Sequence, residues 1–154
     1  MNKALSGIRV LDFTQVLAGP FCTMNLADFG AEVIKIEKPG TGDGSRIFGP
    51  FINGQSGYYT LVNRGKKGVA IDLKKGRDII YEMVRNCDIV VENFKPGVME
   101  KLGYSYEQLK KVNPEIIYCS ISGFGQDSPM RDLPAYDIVA QGTVSYTHLR
   151  AHET

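Results

Sequence analysis

Histidine occurs only twice in 154 residues and cysteine three times, with no C-x-x-C pair, so the usual spacings of a metal centre are missing. His148 and His152 stand four apart, but without a carboxylate or thiol partner at suitable spacing they are not expected to hold a metal. Cys22, Cys87 and Cys119 are odd in number and lie in apolar surroundings. They read as buried reduced thiols; the alternative, a catalytic thiolate, fits poorly with two of them at a candidate helix end and strand. Neither sign of charge is in excess, since 18 Lys and Arg against 17 Asp and Glu leave +1, which gives no field for steering nucleic acid or an anionic membrane. No stretch approaches the roughly 18 apolar residues of a membrane span. The opening Met1-Asn2-Lys3-Ala4 meets charge at Arg9 and Asp12 with no leader core, so a cytoplasmic protein is expected. What is present is a folding composition, 43% hydrophobic and 23% charged with 7 Phe and 8 Tyr, enough for one domain or a part of a larger one.

Two β-branched runs, at 8–13 and 33–37, flank a segment in which Cys22, Leu26 and Phe29 recur at i, i+4, i+7. Pro20 suits a first helical turn and Gly30 a left-handed cap, so the spacing predicts a βαβ unit with its helix over 19–29. Further strands are expected at 69–73, 89–91 and 116–121. Between them, Ile79, Ile80, Met83 and Val84 form the apolar stripe of a helix ending near Asn86. Ser105-Tyr106-Glu107-Gln108 has the form of a capping box, with Leu109 and Val112 facing inward and Pro114 stopping the helix. Strands that are apolar nearly throughout and alternate with helices predict an α/β fold, a parallel sheet covered on both faces. The glycine-rich stretch 38–67 is expected to be irregular, helical only over 57–62, and to carry function or pack against something else.

The turn from Asp12 to Pro20 places small residues where amides at a helix N-terminus could face an anion, but it is not G-x-G-x-x-G. Glu37 ends the second strand, where a dinucleotide fold keeps its ribose-binding acid; without the glycine fingerprint it does not predict NAD. Asn93-Phe94-Lys95-Pro96-Gly97 follows the fourth strand, at the carboxyl end where open parallel sheets bind ligands. There Phe94 could stack on a purine while Lys95 or Lys101 meets phosphate, although a Pro-Gly turn with a solvated lysine explains the same letters. The run Arg64-Gly65-Lys66-Lys67 fits a phosphate contact or a solvated turn, and its shortness favours solvent.

Taken in order, the blocks at 7–14, Ala18-Gly19-Pro20, 30–37, 63–67, Val91-Glu92-Asn93-Phe94, Pro96-Gly97 and 122–127 closely resemble the family III CoA-transferases, the CaiB/BaiF group. The resemblance implies a Rossmann-like parallel sheet with helices on both faces, the N-terminal part of the large domain of that fold, from a longer protein that forms an interlocked homodimer. It implies coenzyme A as substrate and carrier, no metal, and acyl-CoA and carboxylic acid partners. Val16, Lys38, Ile71, Leu73, Asn93, Phe94, Lys95, Val98 and Lys101 would line the CoA site, with the adenine near Ile71 and Leu73. Lys38 and Lys101 fall where family members often have arginine, which keeps the charge but loses the bidentate fork.

The implied mechanism uses an aspartate carboxylate as nucleophile on the thioester and passes through an aspartyl-CoA intermediate. By the family pattern that aspartate stands about thirty residues past Tyr136 and is therefore absent from these residues. Gln15, Tyr136 and Asp137 are implied in supporting roles. Racemase-like members carry histidine at the position of Tyr136, so an α-methylacyl-CoA racemase-like parent is the weaker alternative, as is a stand-alone CoA- or nucleotide-binding module without catalysis. Residues 1–142 keep the family pattern as a partial CoA-binding domain, whereas 143–154 lose it abruptly and read as a non-native tail. An enzyme fragment inactive by itself is the resulting expectation.

Overall fold

Residues 3–133, 135, 136 and 139 are described by the computed structural model of the chain. Asp137, both histidines and the suspected tail at 143–154 lie outside the described residues. The chain divides into two units, Met1–Ile121 and Ser122–Thr154.

In the first unit β1 (Arg9–Asp12), α1 (Ala18–Asp28) and β2 (Glu32–Glu37) form the expected βαβ unit. Gly30 closes α1 at a φ of +104°, a conformation that a side chain rarely adopts, and so turns the chain into β2. A 3-10 turn (Gly44–Ile47), the hairpin β3 (Phe51–Ile52) and β4 (Gln55–Ser56), and α2 (Gly57–Val62) fill the glycine-rich stretch. Then come β5 (Lys67–Ala70), α3 (Arg77–Arg85), β6 (Ile89–Glu92), α4 (Val98–Leu102), α5 (Tyr106–Lys110) and β7 (Ile117–Ser120). Five strands make one parallel sheet in the order β5-β2-β1-β6-β7, with Leu11 opposite both Ile34 and Val90. The chain builds outward from β1 through β2 to β5, then crosses to β6 and β7 on the other side. That reversal between β1 and β6 opens a crevice beyond their carboxyl ends.

Alternation along the strands feeds two cores. Val10, Val33 and Val91 pack with Ala31 and with Leu26 and Ala27 of α1. Leu11, Phe13, Ile36 and Val90 face the other way, onto Ile80 and Val84 of α3, Tyr104 and Leu109. The capping box at Ser105 is present and starts α5.

Three expectations change. The third strand is Lys67–Ala70 rather than 69–73, because Asp72 bends the chain: its carboxylate accepts the Lys74 amide at 2.8 Å and its carbonyl the Gly76 amide at 2.7 Å. Ile79 is 57% exposed, so only Ile80 and Val84 of the α3 stripe are buried. The stretch 38–67 holds a hairpin and a 3-10 turn that are too short for periodicity to reveal. Of the free cysteines only Cys87 is fully buried, and burial pushes its thiol up to about 11. Burial also raises Cys22 and Cys119, which leaves no group poised as a thiolate among them.

The described part of the second unit is a series of turns, with the Arg131 amide donating to Ser128 O at 3.0 Å and Leu133 to Met130 O at 2.9 Å.

Candidate functional site

The turn after β1 points three successive amides at three side chains. Thr14 N donates to Asp12 Oδ1 at 2.8 Å, Gln15 N to Asn93 Oδ1 at 2.8 Å, and Val16 N to Asp43 Oδ1 at 3.1 Å. These donors are spent within the protein, so this stretch of the turn is not the open anion cradle that its small residues suggested. Val16 holds a φ of +67°, uncommon for a β-branched residue, and a conformation of this kind costs about 1–3 kcal/mol that neighbouring contacts must offset. A Cβ built on Gly19 would lie 2.3 Å from the Thr14 Cβ, so glycine is what lets α1 approach the turn this closely.

Beneath the turn lie two buried ion pairs. Lys66 Nζ stands 3.0 Å from Asp12 Oδ2 and also donates to Pro20 O and Asn63 Oδ1. Lys35 Nζ stands 2.9 Å from Asp43 Oδ2 and donates to Thr14 O at 2.7 Å. The four side chains are at most 2% exposed. Lys66 is therefore neither a solvated turn residue nor a phosphate contact, which corrects the solvated reading of 64–67 at that one residue, while Arg64 and Lys67 are exposed as expected. Its partner stands 54 residues away, beyond the reach of any local pattern. Burial pushes Lys66 below its ordinary value even with Asp12 beside it, and Asp43 is held low, its burial outweighed by the Ser45 amide and Lys35.

Glu37 is also committed. Its carboxylate accepts from Arg46 Nε (2.7 Å), Arg46 Nη2 (2.8 Å), the Tyr59 hydroxyl (2.7 Å) and the Asp43 amide (2.8 Å), using about all four lone-pair directions it has. Glu37 therefore has no lone pair left over for a ribose hydroxyl. Burial works to raise Glu37, but these donors overcome it and hold the carboxyl at about 2. Because that lies below the ordinary 4.5, its contribution to stability is complete above pH 4.5 and is lost as pH falls toward 2. Discounted for the half-exposed Arg46, this contribution is about 2 kcal/mol at neutral pH. Glu92 shifts the opposite way: burial raises it although the Ser120 hydroxyl and the Phe94 amide favour its charge, so it resists stability loss on mild acidification. Thermal unfolding is expected to show a drop between pH 4.5 and 2 in the wild type, and a shallower drop in Glu37→Gln. Parallel curves for the two would contradict this.

At the carboxyl ends of the strands lies a cavity of about 410 Å³. Phe13, Ile36, Ile71, Leu73 and Phe94 supply apolar wall, and Gln15, Lys38 and Lys74 polar lining beside Glu37 and Asp72, whose carboxylates are already engaged by Arg46 and by the Lys74 amide. It fits a ligand with an aromatic or alkyl body and an anionic group. A cleft of about 400 Å³ adjoins it through Glu37 and Lys38 and is edged by Gly40, Gly42 and Arg46. A larger groove of about 700 Å³ runs beside α3 at the amino ends of β1 and β2, away from the crevice.

Of the residues singled out from the sequence, Gln15, Lys38, Ile71, Leu73 and Phe94 meet in the 410 Å³ cavity. Asn93 stands at the crevice, but its amide is bound to Gln15, accepting the Gln15 amide and donating to its carbonyl at 2.8 Å. Val16, Lys95, Val98 and Lys101 are not among the cavity-lining residues; Lys95 and Lys101 are exposed. Tyr136 belongs to the second unit and is 71% exposed. Lys74 was missed, as a surface lysine after a strand carries no distinguishing pattern. Among the described residues no group of three or more potential metal ligands gathers, and no helix is long and apolar enough to cross a membrane.

Comparison with known proteins adds the following. Residues 5–154 match the sequence profile of CoA-transferase family III. The chain is 48% identical over 154 residues to succinyl-CoA:glutarate CoA-transferase of Mus musculus, covering 98% of this chain and 35% of that protein. It is 52% identical over 137 residues to acetyl-CoA:oxalate CoA-transferase of Acetobacter aceti, covering 88% and 35%. The crystal structure of a CAIB/BAIF family protein from Brucella suis superposes with a TM-score of 0.86 at 40% identity, over 92% of this chain and 39% of that one. The chain thus spans about a third of the length of these relatives.

Proposed function

The chain belongs to CoA-transferase family III, and from that premise we propose that its crevice holds the CoA side of a transfer of CoA between an acyl-CoA thioester and a carboxylic acid. The observation that carries the reading is the convergence of Gln15, Lys38, Ile71, Leu73 and Phe94 on one cavity at the switch point of the sheet. The aromatic and alkyl walls suit an adenine or pantetheine body, and Lys38 with Lys74 suits its phosphates. The names of the relatives, acting with glutarate and oxalate, favour a dicarboxylic acid as one substrate. A carboxylate oxygen of an aspartate attacks the thioester carbonyl, the C–S bond breaks, and CoA leaves as thiolate from a mixed anhydride. The thiolate then attacks the aspartyl carbonyl and expels the donor acid as carboxylate; the acceptor acid runs both steps in reverse. We assign that nucleophile to a residue outside these 154, and the working assembly to a homodimer of the longer protein.

The test is calorimetric titration of CoA at fixed salt. Phe94→Ala is expected to weaken binding about tenfold, since stacking of a base on an aromatic ring is worth about 1–3 kcal/mol. Equal affinity for the two chains would overturn the assignment of Phe94, and no binding by the wild type would overturn the reading of the cavity.

A further inference from the structure

We propose that Asp43 is a positioning residue for the ligand-facing turn, acting from outside the cavity by holding Val16 in its left-handed conformation and so aiming Gln15. The proposal rests on the CoA reading for its functional consequence, but its geometry stands separately.

Asp43 grips the turn at two points. Its Oδ1 accepts the Val16 amide directly. Its Oδ2 faces Lys35 Nζ at 2.9 Å, and that ammonium donates to the Thr14 carbonyl at 2.7 Å. Gln15 lies between the two grips and lines the cavity. Asp43 is itself fixed: its amide donates to Glu37 Oε2, and its Oδ1 accepts both the amide and the hydroxyl of Ser45 at 2.8 Å. The helix that follows offers no substitute, because Leu17 at its N-cap makes no side-chain hydrogen bond. A left-handed valine reverts to an extended or helical conformation unless its surroundings forbid it. Asp43 supplies a direct bond that opposes the reversion, and nothing in its own position touches the cavity.

Removing Asp43 alone would strand the Lys35 charge and risk unfolding, so the test uses charge-neutral pairs. In Asp43→Leu with Lys35→Met both grips are gone; in Asp43→Asn with Lys35→Met the Oδ1 acceptor remains. Two readouts are taken on chains verified as folded by circular dichroism: hydrogen exchange of the Val16 amide by NMR, and CoA affinity by calorimetry. The leucine pair is expected to speed Val16 exchange at least about tenfold, since a hydrogen-bonded amide becomes an open one. It should also weaken CoA binding about tenfold, while the asparagine pair restores both to within about threefold of wild type. Adding Val16→Gly to the leucine pair should recover part of the affinity, because glycine takes positive φ at no steric cost. Unchanged Val16 exchange in the leucine pair, or an asparagine pair as impaired as the leucine pair, would overturn the proposal. Faster Val16 exchange in the leucine pair, with no CoA bound even by the wild type, would support the hold on the turn and overturn the CoA reading instead.

Discussion

Replacing Lys66 by methionine is expected to lower the melting temperature by roughly 10 °C, a loss of about 3–5 kcal/mol from the 5–15 kcal/mol typical of a domain. The Lys66 ammonium has three donors and uses one each on Asp12, Pro20 and Asn63. Without it Asp12, fully buried, keeps only the Thr14 amide and the hydroxyls of Thr14 and Thr23, with no cation against its charge. Arginine is not expected to rescue, because a planar fork cannot converge on three acceptors placed around one nitrogen. Removing both charges should behave differently. Burial already holds Lys66 below its ordinary value, so the pair as a whole is not a strong net source of stability. Lys66→Met with Asp12→Asn is therefore expected to recover at least about 1 kcal/mol over the sum of the single changes, as groups in direct contact do in a double-mutant cycle. A single variant that melts within 2 °C of wild type, or a strictly additive cycle, would contradict the account.

Lys66 also marks where sequence reasoning stops. Its neighbours Arg64 and Lys67 do reach the surface, where they pair with Asp28 and Glu32, so a run of three cations looks solvated until tertiary structure separates them. The same holds for Asn93, whose ligand-like place at a strand end hides a bond to the Gln15 backbone. Local rules succeeded where the energy is local: the Gly30 cap, the capping box at Ser105 and the short helix Gly57–Val62 are set by residues within a turn of one another. The strand at 69–73 failed because Ile71 and Leu73 are apolar for a reason other than pairing. Both wall the cavity, Ile71 after one last amide bond to the Glu37 carbonyl at 2.9 Å, while Asp72 between them makes the turn. Five of the twelve residues lining the cavity, Gln15, Lys38, Ile71, Leu73 and Phe94, were thus singled out through the resemblance, whereas the charges that shape the turn beside it were not.

The second large effect is expected at Tyr104, which is fully buried and supports the cavity wall from behind. Its ring stacks on Phe13 at 5.9 Å between centroids and meets Tyr81 edge-on at 6.1 Å, and its hydroxyl donates to the Leu73 carbonyl at 2.6 Å. Tyr104→Ala deletes an entire core ring, and such truncations cost about 3–5 kcal/mol, the transfer loss being joined by a void that packed neighbours close only in part. Tyr104→Phe keeps the ring and removes one bond; with Leu73 half-buried its carbonyl can still find water, so the loss should stay near 1 kcal/mol. Urea unfolding monitored by circular dichroism measures both, and a cost below about 1 kcal/mol for the alanine variant would show that the site collapses without penalty. Because Phe13 and Leu73 both line the cavity, the alanine variant should also bind CoA more weakly at temperatures where it remains folded. The phenylalanine variant, which leaves Phe13 supported and loosens only Leu73, should bind nearly as the wild type does. That ordering ties affinity to the wall rather than to global stability: a destabilised chain that is still folded loses ligand only if the lost side chain stood behind the ligand's contacts.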